Sequence, residues 1–224
     1  MTGERSPATI RGPHQGQPTL AAGTPLERTR AAMIMVHGCG AMARDILTLA
    51  PELEQVEGAS GFAYLAPQAA GNSWYPYSFL APLASNEPAL SSALAAIGET
   101  VDRVAAAGIP PERTILLGFS QGACLALEYA ARNGRHWGGV VGLSGGLIGP
   151  EGTPQDYPGS LADAPVFLGC SDIDPHIPKA RVLHSAEVLR RLGGDVTARL
   201  YPGMGHTVIE DEIAFVRKMM AALA

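Results

Sequence analysis

Gly118-Phe119-Ser120-Gln121-Gly122 is a G-x-S-x-G that directly follows the apolar run 114–117 and opens a helix-period segment at Gln121. A serine on a tight strand-to-helix turn stands in a strained backbone conformation, and neighbouring chain comes so close that only small residues fit at both flanks. Gly118 and Gly122 meet that need. The turn lifts the Ser120 hydroxyl off the end of its strand and leaves the amide of Gln121 free at a helix N-terminus, where it can stabilise a developing oxyanion. The chemistry this allows is nucleophilic attack on a carbonyl. The plain alternative is a Gly-Ser turn with no chemical role, and the flanking strand and helix argue against it.

A serine nucleophile needs a base and a group that orients the base. On such a turn the partners follow in chain order Ser, Asp/Glu, His. Of the six histidines, His14 and His37 precede Ser120, His136 lies just past the helix that follows it, and His184 falls inside a helical period. His206 lies in Tyr201-Pro202-Gly203-Met204-Gly205-His206-Thr207, a Gly-rich loop between the last strand and the last helix, and is the expected base. The acid belongs at the end of the preceding strand, where Cys170-Ser171-Asp172-Ile173-Asp174-Pro175-His176 offers two carboxylates. Asp174 is the better placed, since Pro175 biases it towards an extended conformation and a helix opens near Pro178. Asp172 caps the turn or exchanges roles with it. His176 reads as a rim residue.

The run 32–36 ends in His37-Gly38-Cys39-Gly40, whose glycines let the chain bend so that the amide of Cys39 points to the same spot as that of Gln121. His37 then holds the loop, and Cys39 supplies an amide rather than a thiol nucleophile. Cys124, one turn into the elbow helix, reads as core. Asn72–Leu80 gathers Trp74, Tyr75, Tyr77 and Phe79 in a chain with only 6% aromatic residues. These four form an apolar wall for a substrate, or the loop is pinned to the core by Trp74.

The elements that must position these residues are legible as alternation. Apolar runs at 32–36, 62–66, 114–119, 140–143, 165–168 and 196–201 suit strands covered on both faces, as in a parallel sheet. Leu90, Leu94, Ile97, Val101 and Val104 keep a helical spacing that stops at Gly108 with Pro110 beyond. Ile209, Ile213, Val216, Met220 and Leu223 repeat it behind Glu210, Asp211 and Glu212, which suit a helix N-terminus. Further helices are expected at 121–133 and 178–192, and longer loops at 68–88 and 144–162. Residues 1–30 read as a flexible start with short edge strands around 17–22. The result is an α/β fold, a mostly parallel sheet with helices on both faces and no large cap.

Length and composition narrow the classes. The 224 residues, 46% apolar and 17% charged, fit one domain spanning 1–224. No apolar run approaches the roughly 20 residues of a membrane span, and the N-terminal residues lack a signal-peptide pattern, so a cytoplasmic protein with no membrane span is expected. Sixteen basic against 21 acidic residues, with no basic cluster, exclude a nucleic-acid partner. Three cysteines without C-x-x-C spacing argue against a disulfide framework and a zinc site, and no metal is expected. Nothing in the sequence speaks to oligomeric state.

From about residue 32 to the end, the chain resembles the phospholipase/carboxylesterase family of α/β-hydrolases, small serine esterases related to acyl-protein thioesterases. The resemblance rests on His37-Gly38-Cys39-Gly40, Gly118-Phe119-Ser120-Gln121-Gly122-Ala123, Asp174-Pro175-His176-Ile177-Pro178 and Gly203-Met204-Gly205-His206. It implies an α/β-hydrolase fold without a lid, a Ser120–Asp174–His206 triad, no cofactor, and a small-molecule ester substrate with a short to medium acyl chain. Ala41 stands where the thioesterase branch commonly has an acidic residue, and the loop from Trp74 to Phe79 is unlike that branch's loop. Both features set the chain on the bacterial carboxylesterase side, with thioester or lysophospholipid hydrolysis by the same triad as the alternative. A non-catalytic protein binding a small ligand on this fold is the reading from another class, and such proteins commonly lack a triad member.

Overall fold

The computed structural model describes residues 12–55 and 61–223. Seven strands form one sheet among these residues: β1 (Thr19–Gly23), β2 (Ala32–Val36), β3 (Ala63–Pro67), β4 (Thr114–Phe119), β5 (Gly139–Leu143), β6 (Pro165–Ser171) and β7 (Asp195–Tyr201). Their order is β1-β3-β2-β4-β5-β6-β7, with β1 antiparallel to β3 and every other pairing parallel. The apolar runs are continuous because both faces are covered. Ile34 packs on one side, while Met33 and Met35 pack on the other.

The helices are α1 (Ala43–Ile46), α2 (Ala50–Leu53), α3 (Ala89–Ala106), α4 (Gln121–Arg132), α5 (Lys179–Arg191) and α6 (Glu210–Ala221). Apolar residues of α3, α4 and α5 form one core cluster with one face of the sheet, and those of α1, α2 and α6 form a second with the other. None of the helices among the described residues is long and apolar enough to cross a membrane. The expected strands and long helices are present within a few residues of their sequence-based bounds, and the edge strand is β1. Of the expected flexible start, residues 1–11 lie outside the described residues, while the part from Gly12 on is packed, with His14 buried. The short α1 and α2 have no counterpart among the expected elements, because four residues are too few to display a period.

The chain runs from β2 outward to β3 on one side and continues from β4 on the other. The loops after β2 and β4 therefore diverge, and the crevice between them lies at the C-terminal edge of the sheet, where open α/β sheets take their ligands. The segments carrying Cys39, Ser120, Asp174 and His206 each follow the C-terminal end of a strand: β2, β4, β6 and β7 respectively.

Candidate active site

Ser120 sits between β4 and α4 with φ 55° and ψ −119°, a conformation few side-chain-bearing residues adopt. Close packing on both flanks enforces it. A Cβ at Gly118 would stand 2.1 Å from the Gly122 carbonyl oxygen, and one at Gly122 would stand 2.1 Å from that of Val36. The second contact seats the start of α4 against the end of β2.

His206 Nε2 lies 2.9 Å from Ser120 Oγ, and its Nδ1 lies 2.7 Å from Asp174 Oδ2. With Nδ1–H donating to the carboxylate, Nε2 is free to accept the hydroxyl proton. The Asp174 side chain is fully buried, and its Oδ1 accepts the amides of His176 at 2.8 Å and Ile177 at 3.0 Å. Burial alone would raise its pKa. The hydrogen bonds from His206 and the two amides outweigh that effect and hold the carboxyl below its ordinary value. Asp172 serves the loop instead: its Oδ1 accepts the amide of Gly203 at 2.9 Å, fastening the segment that carries His206. Phe119 and His176 each bring a ring to 5.0 Å from the His206 ring.

The loop after β2 lies over the same turn, since a Cβ at Gly38 would meet Phe119 and Ser120 at 3.3 Å. The amides of Cys39 and Gln121 have no hydrogen-bond partner among the described residues, whereas the neighbouring Gly40 amide is spent on Asn72 at 2.7 Å. His37 is buried, with Nδ1 donating to the Gly38 carbonyl at 2.8 Å and Nε2 accepting the Ala69 amide at 3.1 Å. Burial lowers its pKa against the opposing pull of the Gly38 carbonyl, so it stays neutral and holds the loop. The Cys39 thiol is exposed; Cys124 is buried, and its thiol is pushed up to about 12 by that burial.

The four aromatics do not form one wall, which corrects the apolar-wall expectation for three of them. Trp74, Tyr75 and Phe79 are buried in the core, while Tyr77 is 62% exposed. Trp74 has no accessible surface, and its indole Nε1 donates to the His37 carbonyl at 2.9 Å.

Three supporting residues give no sign of their parts in the sequence. The Gln121 side chain clamps the aromatic loop to the elbow, with Oε1 accepting the Trp74 amide and Nε2 donating to the Tyr75 carbonyl, both at 2.8 Å. His14, in the N-terminal segment expected to be flexible, is buried between the Trp74 carbonyl at 2.8 Å and the Ala70 amide at 3.0 Å. Glu128, also buried, gathers the Ile148 amide and the Tyr157 hydroxyl and so ties the 144–162 loop to α4. A cleft of about 400 Å³ opens beside His206, lined in part by Leu49, Phe119, Val208 and Ile213.

A mostly parallel sheet with a serine on a strained strand-to-helix turn, and a histidine and a buried aspartate aligned behind it, is the arrangement of the α/β-hydrolase fold. The model of the phospholipase/carboxylesterase family matches residues 21–224, and the chain belongs to that family. It is similar to a crystal structure of a phospholipase/carboxylesterase from Dyadobacter fermentans DSM 18053, with a TM-score of 0.86 and 43% identity over 94% of this chain and 99% of that one. A Bacillus cereus carboxylesterase shares the fold, with a TM-score of 0.71 and 19% identity over 94% of this chain and 96% of that one. Acyl-protein thioesterase 1 of Gibberella zeae is 37% identical over 119 residues, 50% of this chain and 51% of the relative. Acyl-protein thioesterase 1 of Saccharomyces cerevisiae is 32% identical over 142 residues, 58% of this chain and 60% of the relative. The matched region thus spans about half of the first of these fungal relatives and somewhat more of the second.

Proposed function

We propose that this chain is a serine carboxylesterase that hydrolyses short-chain carboxylic esters in the cytoplasm through an acyl-enzyme. The observation that carries this reading is the continuous hydrogen-bonded line from Ser120 Oγ through His206 to the buried Asp174 carboxylate. Ser120 Oγ attacks the ester carbonyl while His206 Nε2 takes its proton, and Asp174 stabilises the imidazolium. The amides of Cys39 and Gln121 receive the oxyanion. Collapse of the tetrahedral intermediate releases the alcohol, protonated by His206. Water then attacks the acyl-enzyme with His206 again as base, yielding the acid and free Ser120.

The fungal relatives named acyl-protein thioesterase 1 favour a second reading, hydrolysis of acyl thioesters by the same residues. Nothing in the attack on the carbonyl depends on whether an alcohol or a thiol leaves. A panel of oxygen esters and thioesters of graded acyl length separates the two. Higher kcat/KM for short oxygen esters supports the carboxylesterase; higher values for thioesters at every length support the second reading and overturn the first.

A further inference from the structure

Glu212 is fully buried in the first turn of α6, and the chemistry above makes no use of it. Its Oε2 accepts the Ile209 amide at 3.0 Å and so closes the N-terminus of the helix that begins just after the His206 loop. Its Oε1 has no hydrogen-bond partner among the described residues and lies against β6, where a Cβ at Gly169 would stand 2.2 Å from it. A glycine is required at that point of the strand because the carboxyl occupies the space. Beyond Gly169 the strand continues through Cys170, whose Sγ is 3.8 Å from Asp174 Oδ2, to the turn that presents Asp174. One carboxyl therefore fills the joint between the helix that anchors the His206 loop and the strand that leads to Asp174.

Resting on the triad reading of Ser120, His206 and Asp174, we propose that Glu212 is a positioning residue whose neutral carboxyl keeps the His206 loop in register with the Asp174 strand, and whose ionisation loosens that joint and slows hydrolysis.

The surroundings favour the neutral form. Burial pushes the Glu212 pKa up to about 7, against the hydrogen bond from Ile209 and with the charge of Asp211 adding to the rise. The neighbouring cation, Arg199 on β7, stands in register with Gly169 but is paired with Asp211 and makes no contact with the Glu212 carboxyl. On α6, Asp211 is itself held by Arg199 and Tyr201, each at 2.6 Å. On β6, burial pushes the Cys170 thiol up to about 12, so it is neutral. On β7, burial and the Asp211 carboxylate raise the Tyr201 phenol, which is neutral too. An ionised Glu212 thus has one amide donor for two buried oxygens, a costly arrangement that opening of the joint to water relieves.

The test compares wild type, Glu212→Gln and Glu212→Ala for kcat and KM on 4-nitrophenyl butyrate across the neutral to alkaline range, with thermal melts at each pH. Gln keeps the acceptor for Ile209 and cannot ionise, so the ratio of its kcat to that of wild type rises about threefold or more from pH ~6.5 to pH ~9, with KM steady. Glu212→Ala lowers kcat about tenfold well below its melting temperature. A ratio that does not vary with pH overturns the proposal, and so does an alanine variant with wild-type kcat and only a lower Tm. If the alanine variant does not fold, the pH dependence of the glutamine ratio decides alone. A wild type that neither turns over the ester nor takes a fluorophosphonate on Ser120 defeats the triad reading, and this proposal falls with it. Normal turnover with a flat ratio defeats the Glu212 assignment only.

Discussion

His206 Nδ1 meets Asp174 Oδ2 at 2.7 Å, while Asp172, on the same turn, reaches the amide of Gly203 instead. One carboxylate orients the imidazole and the other fastens its loop. Asp174→Asn offers an amide in place of the acceptor and favours the wrong tautomer of His206, so kcat falls about 10⁴-fold. Asp172→Asn keeps an acceptor for Gly203 and loses no more than about tenfold. Steady-state kinetics of the two variants on one short ester checks this, and the reverse ranking would exchange their roles.

The Gln121 side chain joins the serine turn to the aromatic loop by two buried hydrogen bonds. Gln121→Ala keeps the backbone amide but leaves the Trp74 amide and the Tyr75 carbonyl unpaired, at a cost of about 1–3 kcal/mol for each. Denaturant unfolding is expected to show the loss, with a drop in kcat far smaller than that of Asp174→Asn. A variant as stable as wild type would contradict the clamp.

Much of the fold and site can be read from the sequence because its signals are local. Buried parallel strands are unbroken apolar runs, long helices repeat every three or four residues, and the glycines around Ser120 mark a turn that tolerates no side chain. Chain order sets aside His14 and His37, which precede Ser120, and of the remaining four histidines only His206 lies in the Gly-rich loop after the last strand. What escaped depends on distance through space. His14 meets Trp74 across 60 residues and Gln121 meets it across 47, and no spacing rule links such pairs. The burial of Glu212 was hidden for another reason: an acidic residue in a first helical turn ordinarily faces solvent and the helix dipole.

Stability depends on pH through Glu212 in a defined direction. Its pKa is raised from 4.5 to about 7, so the folded state holds the proton more tightly than the unfolded chain. The contribution is fully present below about pH 4.5, is lost as pH rises towards about 7, and amounts to on the order of 3 kcal/mol. Asp174 works in the opposite sense, since its lowered pKa contributes stability that is lost on acidification. Glu212→Gln therefore flattens the decline in stability between about pH 5 and pH 8 in equilibrium unfolding. An undiminished decline in the variant would assign it to other groups.

Tyr77 is the one of the loop's four aromatics that presents most of its side chain to solvent. As the rim of the acyl site it would bury a few methylenes, at about 0.8 kcal/mol each. Tyr77→Ala is expected to lower kcat/KM for butyl and hexyl acyl chains about three- to tenfold while sparing acetyl esters. An equal effect at every chain length would return the loop to a purely structural part.

Hydrolysis by this route requires Ser120 to be an activated nucleophile. Exposure of the folded protein to a fluorophosphonate, followed by intact-mass and peptide-mapping mass spectrometry, tests it most directly. One covalent adduct per chain is expected on Ser120, absent from Ser120→Ala, in which kcat also falls by about 10⁶. A folded wild-type protein that stays unmodified, an adduct on another residue, or a Ser120→Ala variant that retains about a tenth of the wild-type rate would contradict it.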